Sequence, residues 1–396
     1  MSLPRTDPAG RETAEIPAGT MPLCAVNAGS PRLVSLDALR GFTMIWITGF
    51  EQVVKALAAA SGVSFLKKFS DQLWHNPWTP GLGRLAAGFH CYDMVMPLFL
   101  FCAGTSLPFS FAKRLARGEG KRKIYAHLAK RFALLFVLGM AMDNLFAFDF
   151  AHLHFFSDTL QAIACGYLIA ALLLLHLRAR GQAAAVAGLL LGYWALLTFI
   201  PAPGQPHGVL TPDANLAIYL DKILLGRHQD GTYYTWILTS LGFGSTVALG
   251  ALAGQWLQSS HAPTRKILGL WAAGVALVVA GLVWSLSSPI IKYIWSSSFV
   301  LFSGGICLLL LAAFYLVIDA WGLWRWAFVF VVIGANSIVA YMAGRFINFK
   351  AIAANFVGGT EHWLGLWYAV LHLALAFALF WLMLYGLYRK KTFVRV

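Results

Sequence analysis

The sequence predicts an all-α polytopic membrane protein, a single bundle of about ten transmembrane helices with both termini in the cytoplasm. Three observations carry that prediction. Of 396 residues, 59% are hydrophobic and only 12% charged, whereas a soluble domain is nearer a quarter charged. The apolar residues fall in runs close to 20 long, the length a helix needs to cross a bilayer. Lys and Arg collect in the short stretches between those runs, where they act as topology signals.

Taken in order, the candidate helices are about 34–58, 93–112, 125–146, 157–176, 183–201, 233–257, 266–285, 294–318, 326–348 and 363–388. The first begins with Asp37 and Arg40 at the inner face and carries Glu51 about 21 Å further out, at 1.5 Å of rise per residue. Asp93 opens the second. Asp143 and Asn144 close the third, and Asp158 and Gln161 open the fourth. Lys292 precedes the eighth, and Asn336 lies within the ninth. Residues 1–31 hold five prolines and no apolar core, so they read as a disordered cytoplasmic tail with no signal peptide. The transmembrane domain then covers 32–388, and 389–396 is a second cytoplasmic tail. No internal repeat and no broken helix is expected, which argues against the usual build of a secondary transporter.

Net charge is +14. If the loops alternate between sides, 21 of the 30 Lys and Arg residues fall on the side of the N terminus, and KRLARGEGKRK (113–123) dominates the count. That bias places both termini inside. No nucleic-acid motif accompanies the charge, so no nucleic-acid partner is expected. The five cysteines form no CxxC pair, and three lie in apolar runs, so neither a disulfide scaffold nor a metal site is expected. Two long connections, about 59–92 and 202–232, face outward, and connections of that length are often functional.

Ionisable groups in or beside spans are functional candidates by default. Glu51, His75, His90, Asp93, Asp143, Asp158 and Lys292 gather near one membrane face. Each also has a plain structural reading. The aspartates suit helix caps, and Asp37 with Arg40 suits a local ion pair. His176 and His372 suit packing, and the Trp and Tyr residues at span ends suit an interfacial belt. His75 differs, because it stands in an outer loop between Trp74 and Trp78. Imidazole exchanges protons near neutral pH without special tuning, and it is a competent nucleophile toward an activated acyl group.

Six stretches occur in one order along the chain: SLDALRGFTMIW (35–46), QLWHNPW (72–78), YDMVMPLFLFCAGTSLPFS (92–110), TLQAIACGY (159–167), SPIIKYIWSSSFVLFSGG (288–305) and GANSIVAYM (334–342). Together they resemble the heparan-α-glucosaminide N-acetyltransferase family and its bacterial relatives, multi-span transmembrane acyltransferases. The resemblance runs from about residue 32 to 345. It implies acetyl transfer from cytosolic acetyl-CoA to a terminal glucosamine amine on the far side of the membrane. It also implies a catalytic histidine in the first outward loop, three residues before a tryptophan, which His75 and Trp78 match. The chain departs from the family pattern in three places. The segment after Trp78 is longer and supplies a competing His90. Glu51 stands where the animal enzymes carry asparagine. LQR reads LQA at Ala162.

On this basis His75 is the base or acyl carrier, and Glu51 or Asp93 holds its second nitrogen. Trp78, Lys292, Trp295 and Ser297 line the acceptor opening. Arg40, Lys130 and Arg131 meet the CoA phosphates, and Asn336 meets the pantetheine arm. The expected partners are acetyl-CoA as co-substrate, an amino-sugar glycan and the lipid bilayer, with no metal. A homodimer is compatible with the resemblance, and a bacterial inner membrane is the expected location. Two other classes stay open: an O-acyltransferase of an envelope glycan, and a transporter of a small anion or glycan fragment.

Overall fold

The computed structural model describes residues 33–78, 89–143, 145, 148, 150 and 152–393. The tail at 1–31 and most of the long segment after Trp78 lie outside them. Among the described residues the chain is helix and loop, apart from an isolated bridge between Phe156 and Gln229.

The first predicted span is interrupted. Helix α1 (Val34–Ile45) passes through a π-helical turn, Trp46–Phe50, into α2 (Glu51–Ser61). Gly49 adopts φ +110° in that turn, a conformation glycine takes without steric penalty. The long connection after α2 then forms α3 (Ser64–Asp71). Next come α4 (Val95–Ala116), led by a short 3₁₀ turn at Cys91–Met94, then α5 (Lys121–Met142), α6 (Thr159–His176) and α7 (Ala179–Phe199). The second long connection holds α8 (Leu216–Leu225). After it run α9 (Ser240–Gln258), α10 (Pro263–Trp284), α11 (Ser297–Phe314), α12 (Phe328–Ala335), α13 (Ser337–Phe346), α14 (Phe349–Val357), α15 (Glu361–Leu364) and α16 (Leu366–Arg389).

Seven of these helical segments are long and apolar enough to cross a membrane. The protein is an integral membrane protein of the all-α polytopic class. An eighth span follows if α12 and α13, bent by 67° at Asn336, count as one. Of the ten expected helices, the ninth is therefore broken, contrary to the expectation of continuous spans. The sixth, α9, is shorter and less apolar than the sequence suggested. Its first seven predicted residues are instead a loop pinned by Asp221, whose carboxylate accepts from the amides of Trp236 at 2.6 Å and Ile237 at 3.0 Å.

α9 gives up apolarity for close packing. A methyl group on Gly250 would fall 2.1 Å from the Phe101 carbonyl oxygen, and one on Gly104 would fall 1.9 Å from that of Val247. α4 and α9 thus touch backbone to backbone, which is how membrane helices associate when lipid supplies no hydrophobic drive. α1 meets α12 in the same way through Gly41 and Gly334. α4, α6, α9 and α11 form the buried centre. α10 and α16 turn residues such as Trp271, Val279, Val283 and Leu382 outward.

The aspartates divide on inspection. Asp158 is a true cap, accepting from the Leu160 amide at 2.8 Å, while Gln161 Oε1 accepts from the amides of Ser157 and Asp158. Asp143 ties a loop by accepting from the His154 amide at 2.9 Å. Asp37 lies 3.3 Å from Arg40 as a local pair.

Candidate active site

Three segments far apart in sequence converge at the N-terminal end of α4. His75 arrives on the loop after α3, Asp93 sits in the 3₁₀ turn that starts α4, and Lys292 lies in the loop before α11. Lys292 Nζ is 2.7 Å from His75 Nδ1 and donates to Asp93 Oδ1 at 3.2 Å. Asp93 Oδ1 is also 3.3 Å from His75 Nδ1. The Asp93 and Lys292 side chains are 2% and 7% exposed, but the His75 ring is 47% exposed. The imidazole is therefore anchored at Nδ1 by two buried groups of opposite charge, and its other edge is open. Burial holds the Lys292 ammonium below the usual lysine range, and the Asp93 charge offsets part of that shift.

Asp93 is held from below by the chain itself. Its Oδ2 accepts from the amides of His90 at 3.1 Å and Asn76 at 3.4 Å. Tyr92 packs its ring 4.8 Å from His75. Tyr293 donates to the Asn76 carbonyl and stacks on Trp78 with ring centroids 5.5 Å apart. Trp78 Nε1 is buried without a hydrogen-bond partner. Lys55 lies 3.7 Å above the Trp74 ring.

The other expected residues divide. His90 belongs to the scaffold: its Nδ1 is 2.9 Å from the Trp74 carbonyl oxygen. Glu51 is buried, with Oε2 unpartnered, and it approaches Tyr92 rather than bonding His75. Trp295 and Ser297 do not line an opening. Trp295 is fully buried and donates to Thr246 Oγ1 at 3.0 Å, and Ser297 donates to the Leu190 carbonyl at 2.7 Å. Both lock loop and helix to the core, so their polar atoms answer to packing.

A cavity of about 540 Å³ opens at the opposite end of α4. Arg40, Lys113, Arg114, Arg117, His127 and Arg131 crowd one part of it, and Phe99, Leu135, Leu160 and Ile163 line another. Arg131 lies over the Tyr167 ring at 4.1 Å, and its Nε is buried without a partner. Lys130 is exposed and lies outside the lining, because the neighbouring position on a helix points about 100° away. Lys113, Arg114, Arg117 and His127 take the place expected of it. Asn336 is buried and donates to the Thr392 carbonyl at 3.1 Å. Its neighbours Gly334, Ala335, Ser337 and Ile338 reach the cavity instead. His75, Asp93 and Lys292 are not among the lining residues. Phe99, in the cavity lining, is stacked 6.4 Å from Tyr341, and Tyr92 packs against the imidazole. Tyr341 is fixed by donating to Asp158 at 2.7 Å.

Comparison with known proteins bears on this arrangement. The chain is 25% identical to human heparan-alpha-glucosaminide N-acetyltransferase and 26% identical to the mouse enzyme of the same name, over 94% and 93% of its own length. It is a distant relative of these acetyltransferases. The chain spans about three fifths of each curated relative, 61% in both cases. No protein-family model matches it. The aligned share takes in both ends of α4, and so both the imidazole cluster and the cationic cavity. Sequence reasoning had named the members of the cluster one by one. Of the cavity cations, Arg40 and Arg131 were expected to meet the CoA phosphates, whereas Lys113, Arg114 and Arg117 read as topology signals, and no local signal separates the two roles.

Proposed function

We propose that the protein is a transmembrane acetyltransferase, which moves an acetyl group from acetyl-CoA to the amine of an amino sugar across the membrane. One observation carries the proposal: α4 bears Asp93, the anchor of His75, at one end and the cavity cations Lys113 and Arg114 at the other. The 21 residues from Asp93 to Arg114 rise about 32 Å, close to the thickness of a bilayer core. In this reading the donor enters from the cytoplasm, as the basic bias of the loops suggests.

The cavity suits the donor's chemistry. Guanidinium and ammonium groups pair with phosphates, and the unpartnered Nε of Arg131 supplies a buried donor awaiting an anion. The apolar walls accept the pantetheine arm. Passage of the thioester from the cavity to His75 requires intervening side chains to move, since the cavity lining does not reach the imidazole. On the outer side, Trp78 and Tyr293 offer a flat aromatic face beside the imidazole for a sugar ring.

His75 Nε2 takes a proton from the acceptor ammonium, and the freed amine attacks the thioester carbonyl carbon. The C–S bond breaks, the proton held on Nε2 passes to the CoA sulfur, and the nitrogen of the new amide releases its second proton to solvent. In the covalent variant, Nε2 itself attacks first, CoA leaves as the thiol, and the amine then takes the acetyl group from the ring. Isolation of acetyl-labelled enzyme in the absence of acceptor separates the two routes.

The test is acetyl-CoA consumption by purified protein in lipid nanodiscs with glucosamine-terminated acceptors. Transfer by the wild type and its loss in His75→Ala is expected. Transfer that persists in His75→Ala overturns the assignment. The bent α12–α13 pair favours transport as a second reading, since broken helices are frequent in transporters. Uptake of a labelled glycan fragment without acetyl-CoA turnover would select it.

A further inference from the structure

We propose that Lys292 is a positioning residue that sets which nitrogen of His75 carries the proton, and thereby whether the open edge of the ring is reactive. The inference rests on the acyl-transfer reading for its consequence, but its geometry stands apart from it. Nδ1 has room in the ring plane for one hydrogen bond, yet two groups compete for it. Lys292 Nζ stands at 2.7 Å and Asp93 Oδ1 at 3.3 Å. Their demands are opposite. An ammonium donates, so it requires a lone pair on Nδ1, and in neutral imidazole the hydrogen then sits on Nε2. A carboxylate accepts, so it requires a hydrogen on Nδ1 and leaves Nε2 with its lone pair.

The switch needs only one proton. When Lys292 passes a proton to Nδ1 and Nε2 releases its own to solvent, Lys292 is a neutral amine and Nε2 is free. The ring neither gains nor loses a hydrogen, and the site as a whole loses one proton. Burial of Lys292 at 7% exposure makes the neutral amine accessible. Other charged or titratable groups also face the cluster. Tyr92 packs at a tilt against His75, and Lys55 approaches Tyr92 from α2. Tyr234 lies 5.9 Å from Lys292 Nζ, Tyr293 bonds Asn76, and His90 gives its amide to Asp93. Glu51 acts on Tyr92 from α2. Only Asp93 and Lys292 touch Nδ1 among the described residues.

The experiment is carbethoxylation of the full chain in nanodiscs by diethyl pyrocarbonate, read at the His75 peptide by mass spectrometry from pH 5.5 to 9. Two variants push in opposite directions. Lys292→Met leaves Nδ1 to Asp93, so His75 should label at least about tenfold faster at neutral pH, the effect of removing one charge-assisted bond. Lys292→Arg keeps a cation that does not deprotonate, so labelling should stay suppressed through pH 9. A merely structural role would move both variants the same way. Equal rates and pH profiles in Lys292→Met, Lys292→Arg and wild type overturn the proposal. If Lys292→Met does not fold, the Lys292→Arg profile against wild type decides. The labelling does not depend on turnover. A wild type that transfers no acetyl group but shows the divergent labelling refutes the enzymatic reading and leaves the tautomer assignment standing.

Discussion

Removing one member of the Asp93–Lys292 pair should unfold more of the protein than removing both would suggest. The two side chains are 2% and 7% exposed and 3.2 Å apart. Breaking such a pair by deleting one partner typically costs about 3–5 kcal/mol, because the other charge is left buried. Lys292→Met should lie near the lower end, about 3 kcal/mol, since Asp93 keeps the amides of His90 and Asn76 at 3.1 and 3.4 Å. Asp93→Asn should lie nearer about 5 kcal/mol, since the ammonium then faces only His75 Nδ1 and a neutral amide. The double variant strands no charge. It should fall short of the summed losses by at least about 2 kcal/mol, within the range seen for contacting residues. Reversible unfolding in mixed detergent micelles, followed by tryptophan fluorescence, measures all three. Additivity within about 0.5 kcal/mol would refute the claim that these groups compensate one another in the fold.

Four further outcomes are expected. His75→Ala should lower acetyl transfer by about 10²–10⁴-fold, the usual contribution of a positioned acid–base group, whereas His90→Ala should keep turnover and lose about 1 kcal/mol of stability with its bond to Trp74. Arg131→Gln should raise the KM for acetyl-CoA about tenfold, as loss of one charge-assisted bond implies, while Lys130→Gln should leave it unchanged in the same steady-state assay. Gly250→Ala should destabilise by about 1–3 kcal/mol through overpacking, read as a lower micellar unfolding midpoint. Burial pushes the Asp221 carboxyl up to about 6. The folded state then holds this proton more tightly than the unfolded chain, so its contribution to stability falls as pH rises from about 4 through 6. Asp221→Asn should flatten that part of the stability–pH curve.

The sequence made the membrane class legible because a bilayer imposes length and apolarity on each span independently. It hid what depends on neighbours. Gly49 and Asn336 break their helices, yet neither identity demands a break, and the first and ninth spans read as continuous. α9 reads as a span, but its small residues answer to the backbone of α4. The site behaved similarly. His75, Asp93 and Lys292 each stood out as polar groups beside apolar runs, whereas their meeting across 217 residues of chain has no local signature. Trp295 and Ser297 were placed at an opening because their side chains suit one, and those side chains serve equally well inside. One step of helical phase separated Arg131, in the cavity, from Lys130, outside it.

The order of synthesis gives the cluster a further consequence. Asp93 leaves the ribosome 199 residues ahead of the lysine that neutralises it, which at 5–20 residues per second is a delay of about 10–40 s. Throughout that interval the Asp93 carboxylate has His75 and the amides of Asn76 and His90 to meet it but lacks its buried lysine. The N-terminal end of α4 cannot sink beside lipid without severe expense. That end must wait at the water boundary, or beside an insertion factor, until the later half of the polypeptide arrives to seat it.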